Sequence, residues 1–151
     1  NGIRSAWSKG FPAWAAGQGA EVICLQELKA QMCDLSADMQ APQGFHTYYH
    51  CAVKKGYAGV GLWCRQKPDA VTEGIGNAEF DAEGRYLCAD FGNLSVISLY
   101  VPSGSSSPER QEARFRFLDV FYPHLAELPR CGREMSTSPT IPFAAAATCR
   151  T

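Results

Sequence analysis

The segment Glu21-Val22-Ile23-Cys24-Leu25-Gln26-Glu27-Leu28-Lys29 decides how the rest of the chain is read. Its apolar run, residues 22–25, is short, opens on β-branched side chains and is bounded by polar ones, the pattern of a strand buried on both faces. Glu27 stands where that strand runs out. A side chain at the end of a buried strand is held by a rigid scaffold yet reaches the surface, so a carboxylate there can meet a metal ion and an anionic substrate. The same pattern fits a solvated charge that closes the strand beside Lys29. Other stretches have to decide between the two.

With 151 residues the chain is one domain by length, large enough for a sizeable core but small for a two-sheet enzyme. Hydrophobic residues make up 46%, charged residues 19%, and the formal net charge is −1. That is the composition of a soluble globular protein without a bulk nucleic-acid signature, although a local basic face can coexist with an acidic metal site. The seven cysteines are odd in number and nowhere spaced Cys-x-x-Cys. They read as free thiols, mostly buried, of a reducing compartment rather than a zinc knuckle or redox pair. No signal peptide and no apolar run of membrane-spanning length is visible, which predicts a cytoplasmic protein without a membrane partner.

The chain opens on Asn1-Gly2, a pair common in turns, with no strand before it, as though an upstream element were missing. Residues 8–16 read as a short helix stopped by Gly17. Beyond Glu27, residues 31–44 read as a loop with a helical turn. Strands are predicted over residues 46–51, 59–65, 70–75, 86–91 and 94–101, joined by glycine-containing turns at Gly76, Gly84 and Gly92. Between the first two lies Lys54-Lys55-Gly56-Tyr57-Ala58-Gly59, which reads either as an ordinary hairpin turn or as a grip for a phosphate backbone with a ring pressed into a groove.

The run Leu94-Ser95-Val96-Ile97-Ser98-Leu99-Tyr100-Val101 mirrors the first strand, ending in a polar-tipped residue, Tyr100. A phenol there can donate to a phosphate oxygen or, deprotonated, act as a base or nucleophile; it can equally be a core tyrosine with its hydroxyl at the rim. Ser107 and Pro108 open a helix whose buried face is predicted at Leu118, Phe121, Leu125 and Leu128, with Arg110, Arg114 and Arg116 on a solvated face and a kink at Pro123. Strands interleaved with helices predict an α/β protein with mixed sheets. His46, His50 and His124 have no carboxylate or thiol at ligand spacing, so strand and helix positions are their expected roles rather than a zinc site.

Five stretches taken together, Asn1-Gly2-Ile3-Arg4, Ile23-Cys24-Leu25-Gln26-Glu27-Leu28-Lys29, Gly56-Tyr57-Ala58-Gly59-Val60, Glu83-Gly84-Arg85 and Ser98-Leu99-Tyr100-Val101-Pro102-Ser103-Gly104, resemble the exonuclease III family of abasic-site DNA repair nucleases. They run in order and with matching spacing from Asn1 to about Arg130. The resemblance implies an α/β fold, the four-layer sandwich of the DNase I-like (endonuclease/exonuclease/phosphatase) superfold, here truncated. It implies Mg²⁺, with Mn²⁺ equally suited to a carboxylate site, and double-stranded DNA with abasic sites as partner of a monomeric enzyme.

Residue by residue, Glu27 matches the family's metal-binding glutamate and Asn1 the second polar residue of its Asn-x-Asn-Gly motif. Tyr100 matches the active-site tyrosine, and Arg4, Tyr57 and Arg85 match positions that contact the DNA backbone or enter its minor groove. The activity implied is metal-assisted abasic-site cleavage and 3′-5′ trimming. The family's Gly-Asp-x-Asn aspartate, distal aspartate and Asp-His pair have no counterpart here, so the chain is expected to be an inactive fragment. Its alternatives are a non-catalytic DNA-binding remnant and a phosphoesterase of the same superfold acting on lipid or inositol phosphates. Residues 1–130 are expected to be nuclease domain. Residues 131–151 depart from the pattern, as a disordered extension or a shifted reading frame would.

Overall fold

The structure is a computed structural model that describes residues 2–104 and 107–128, together with the backbone of residues 145–148. Six strands fall within a residue or two of the predicted runs: β1 Val22–Gln26, β2 His46–His50, β3 Val60–Cys64, β4 Ala70–Glu73, β5 Tyr86–Phe91 and β6 Leu94–Leu99. A further strand, β7 Ala145–Thr148, runs parallel to β1. The remainder of residues 131–151, on which the expectation of a disordered tail rests, lies outside the described residues, as does Asn1.

Two sheets result, one ordered β2-β3-β1-β7 and one ordered β4-β5-β6. They pack face to face with helices outside, giving four layers. Alternation along β1 sorts the side chains: Ile23 and Leu25 join a cluster with Ile3 and Ala15 on the helix side, while Val22 and Cys24 meet Leu62, Leu87 and Ala89 between the sheets. Residues of β1 are buried throughout, as its apolar run required, and those of β3 are buried as well. A short helix, α3 Ala37–Gln40, lies in the loop after β1. On the far side, Tyr86 and Cys88 of β5 pack against Phe117 and Phe121 of α5 (Pro108–Glu127) and Phe80 of α4 (Ala78–Asp81).

Three details depart from the sequence reading. In place of one helix over residues 8–16 there are two, α1 Ile3–Ser8 and α2 Phe11–Gly17. Gly10 takes a left-handed φ of 89° and its N–H closes on the Trp7 carbonyl at 3.0 Å, which ends the first helix and turns the chain into the second. Second, α4, capped by the Asn77 side chain, was not predicted at all. Third, α5 runs through Pro123 to Glu127; of its predicted face Phe121 is buried and Leu118 partly so, but Phe117 is buried as well and Leu125 is left 38% exposed. Two apolar stripes overlap on this helix; the one carrying stacked aromatic rings, 5.5 Å apart, faces the sheet. The cysteines 24, 64 and 88 are buried and free as expected, but Cys33 is exposed. Among the described residues no helix is long and apolar enough to cross a membrane.

Candidate active site

The ends of β1 and β6 meet across the two sheets. Alternation would send Glu27 to the helix side with Ile23 and Leu25, and Leu28 to the space between the sheets. The chain does the opposite. Glu27 adopts a left-handed φ of 57°, and the pattern slips by one: Leu28 turns in to the helix-side cluster and the carboxylate turns out. A left-handed glutamate is strained by roughly 1–3 kcal/mol, and such outliers persist where surrounding contacts over-determine them. Here the Leu28 N–H donates to the Gly59 carbonyl at 3.2 Å, the Lys29 N–H to Ala58 at 2.9 Å, and the Leu28 carbonyl accepts from Ile3 N–H at 2.9 Å. Gly2 is forced by this last contact, since a Cβ there would run into the Leu28 carbonyl.

Tyr100 follows β6 and shares the inward parity of Val96 and Ser98. Its hydroxyl donates to Glu27 Oε1, and Lys29 Nζ lies 3.7 Å from Oε2. Burial, followed by the bonded and charged Glu27, pushes the phenol up to about 12, against a smaller lowering by Arg85. As placed, Tyr100 acts as a hydrogen-bond donor to Glu27.

Around this pair lies a cleft of about 580 Å³, lined by Glu27, Glu79 and Glu83 against Lys29, Arg85 and Arg110, with Tyr57, Tyr100 and Ser103. Tyr57 and Arg85 are brought together: the guanidinium Nη2 donates to the Tyr57 hydroxyl at 3.0 Å. Lys54 Nζ sits 5.4 Å from the centre of the Tyr57 ring, and Gly56, Tyr57 and Ala58 of the same loop line the cleft. Arg4 is exposed on α1 and is not among the lining residues. Asn1 lies outside the described residues, although its neighbour Gly2 abuts Leu28. Lys29, Ser103 and Arg110 were not singled out from sequence as site residues. Arg110 was assigned to a solvated face, and the only signal to the contrary was its place in the first turn after the small-residue loop.

The donors suit a hard divalent cation in one respect. Mg²⁺ is commonly held by one or two carboxylates with waters and substrate phosphates completing its shell, and Glu27 offers one carboxylate to the cleft. Among the described residues no three His, Cys, Asp or Glu side chains converge on a common point. His46 and His50 stand on β2 and His124 on α5, as expected; the His50 Nδ1 lies 2.8 Å from the Tyr86 carbonyl.

Residues 1–133 match the Endonuclease/Exonuclease/phosphatase family. An exodeoxyribonuclease of Bacillus subtilis (strain 168) is 36% identical over 129 residues, covering 85% of this chain and 50% of that protein. A DNA-(apurinic or apyrimidinic site) endonuclease of Dictyostelium discoideum is 33% identical over 129 residues, 84% of this chain and 36% of its own. Among solved structures, an AP endonuclease from Archaeoglobus fulgidus superposes with a TM-score of 0.73 at 24% identity, over 85% of this chain and 49% of that one, which speaks to the fold. The chain spans half or less of the length of these relatives.

Proposed function

The chain belongs to the endonuclease/exonuclease/phosphatase family, and from that premise we propose that it is part of an exodeoxyribonuclease III-type nuclease, which hydrolyses duplex DNA beside abasic sites and trims 3′ ends. The observation that carries this reading is the strained Glu27, turned out of β1 to meet the Tyr100 hydroxyl on the floor of a cleft that also holds Lys29, Tyr57 and Arg85. Glu27 would hold Mg²⁺ or Mn²⁺, with Asn1 assigned the second oxygen on the strength of the family resemblance. The bound ion supplies charge neutralisation at the phosphate and a water of lowered pKa. The chain's own residues do the rest. Tyr100, kept protonated, can pass its hydrogen bond from Glu27 to a phosphate oxygen. Lys29 and Arg110 oppose the phosphate charge, while Arg4 and the Lys54–Tyr57 loop hold the backbone on either side.

A second reading, duplex binding without cleavage, draws on the sparse ligand set: among the described residues no three His, Cys, Asp or Glu side chains gather to hold a metal ion, and the Glu83 carboxylate in the same cleft is paired with Arg85. We propose that the 151-residue chain by itself behaves this way. One assay separates the readings. The purified chain is incubated with a duplex carrying one abasic site, with and without Mg²⁺, beside Glu27→Ala. Salt-sensitive binding without nicking is expected. Metal-dependent nicking that Glu27→Ala abolishes would show the chain to be catalytically complete, and absence of duplex binding at low salt, or preference for an inositol phosphate competitor, would remove the DNA reading.

A further inference from the structure

Arg85 is the residue whose surroundings differ most from its expected role. Resemblance assigns it to the DNA backbone, yet it is only 4% exposed. Each of its nitrogens is already engaged: Nε donates to Glu83 Oε2, Nη1 to the Tyr100 carbonyl at 2.9 Å, and Nη2 to the Tyr57 hydroxyl at 3.0 Å. The backbone repeats the grip, with Tyr100 N–H donating to the Arg85 carbonyl at 2.9 Å. Tyr100 is therefore clamped through both its N–H and its C=O by one residue. The guanidinium carbon also lies 5.3 Å from the Tyr100 ring centre and 5.7 Å from that of Tyr57.

The clamp is itself anchored. Gly84 takes a left-handed φ of 59°, and a Cβ there would collide with the His50 carbonyl and come within 2.8 Å of the Ala52 nitrogen. This close approach pins the start of β5 to the end of β2, so Arg85 enters the cleft floor from fixed backbone. Three divergent donors on a planar fork are something only arginine supplies; a lysine ammonium in the same place is a point charge on a flexible stem.

We infer that Arg85 is a positioning residue that locks Tyr100, and through it the Glu27 carboxylate, together with Tyr57, instead of touching the nucleic acid itself. This rests on the nuclease reading above. Three of its five N–H donors are committed to these bonds, and with the residue 4% exposed the guanidinium is held in the cleft wall by protein partners rather than extended toward a ligand.

The two roles differ in how binding responds to salt. A phosphate-contacting arginine adds about 0.9 to the slope of log affinity against log salt concentration. Duplex binding by the 151-residue chain is measured at several salt concentrations for wild type, Arg85→Gln and Arg85→Lys, alongside the ring-carbon NMR signals of Tyr57 and Tyr100 in chain labelled with ¹³C-tyrosine. Positioning predicts an unchanged slope in Arg85→Gln and affinity lowered by about tenfold, the equivalent of one to two lost hydrogen bonds. It also predicts no rescue by Arg85→Lys and displaced signals from both tyrosines in either variant. A slope reduced by about one, with Arg85→Lys restoring affinity, overturns the inference. If the Arg85 variants do not fold, Tyr57→Phe decides: it removes one acceptor and keeps the ring, and it should shift the Tyr100 signal through the shared guanidinium. An unmoved Tyr100 overturns the proposal. Should wild type fail to bind the duplex, the nuclease reading falls, and the tyrosine signals still decide what Arg85 holds.

Discussion

The two strand ends that make the site are supported in opposite ways. Glu27 leaves a strand whose five residues are all buried, with helices on one side and the second sheet on the other. Tyr100 leaves β6, an outer strand of its sheet among the described residues, in which Ser98 alone is fully buried. The first sheet places its functional group through packing, and the second through a few directed bonds: the Ser98 hydroxyl to the Leu25 carbonyl at 3.1 Å, the Arg85 clamp and the Tyr100–Glu27 hydrogen bond. The packed strand, with the backbone bonds of Leu28 and Lys29 just beyond it, bears the left-handed strain at Glu27. Directed bonds hold a side chain while leaving its strand easier to move.

The sharpest way to break this comparison is one chemistry at both places. Leu25 is fully buried, whereas Leu99 is only partly so. Leu25→Ala should cost about 4 kcal/mol and Leu99→Ala about 1 kcal/mol, because the cost of a truncation grows with the cavity it leaves. Native-state hydrogen exchange resolves them separately, with amides of β1 and β3 outlasting those of β6. Equal costs would mean that β6 is as firmly packed as β1.

Next in size is the link between the sheets at this end. Gly84→Ala puts a methyl group into the His50 carbonyl at a φ that alanine disfavours, and should cost about 1–3 kcal/mol. The loss should be accompanied by a shift of the Tyr100 ring signal, since the clamp moves with its anchor. Destabilisation with Tyr100 undisturbed would show that β6 does not depend on Gly84 for its position.

Most of this scaffold was legible in the sequence because the signals were strong and local. Residues 22–25 form an apolar run that two-sided burial explains, residues 59–65 read as a strand from their β-branched and aromatic side chains, and Ser107-Pro108 is a helix start that needs no tertiary information. What was not legible depends on register between distant segments. The break at Gly10 turns on one φ angle, and the buried face of α5 was settled by which aromatic rings the second sheet could accept. The site divides likewise. Glu27 and Tyr100 were named from strand ends, and the structure joins them. That Arg85 would face inward, bonded to Tyr57 and Tyr100, was invisible, since Gly84-Arg85 reads equally as an exposed basic turn.

The smallest effect tests the inter-sheet layer from its chemistry. Cys24 and Cys64 lie buried between the sheets, and burial pushes their thiols from the ordinary 9.0 to about 11 and about 12 respectively. In the unfolded chain both ionise earlier than in the folded one, so the folded state binds more protons between those values. Stability contributed by keeping them neutral is fully present below about pH 9 and falls as pH rises towards 11 and 12. Thermal unfolding followed from pH 8 upward should show this decline, and Cys64→Ala should lower the starting stability while making the alkaline fall shallower. An alkylating reagent applied to the folded chain should reach exposed Cys33 well before either buried thiol. If Cys24 reacts as fast as Cys33, the sheets part readily on that timescale, and Glu27 cannot owe its strained conformation to the packing behind it.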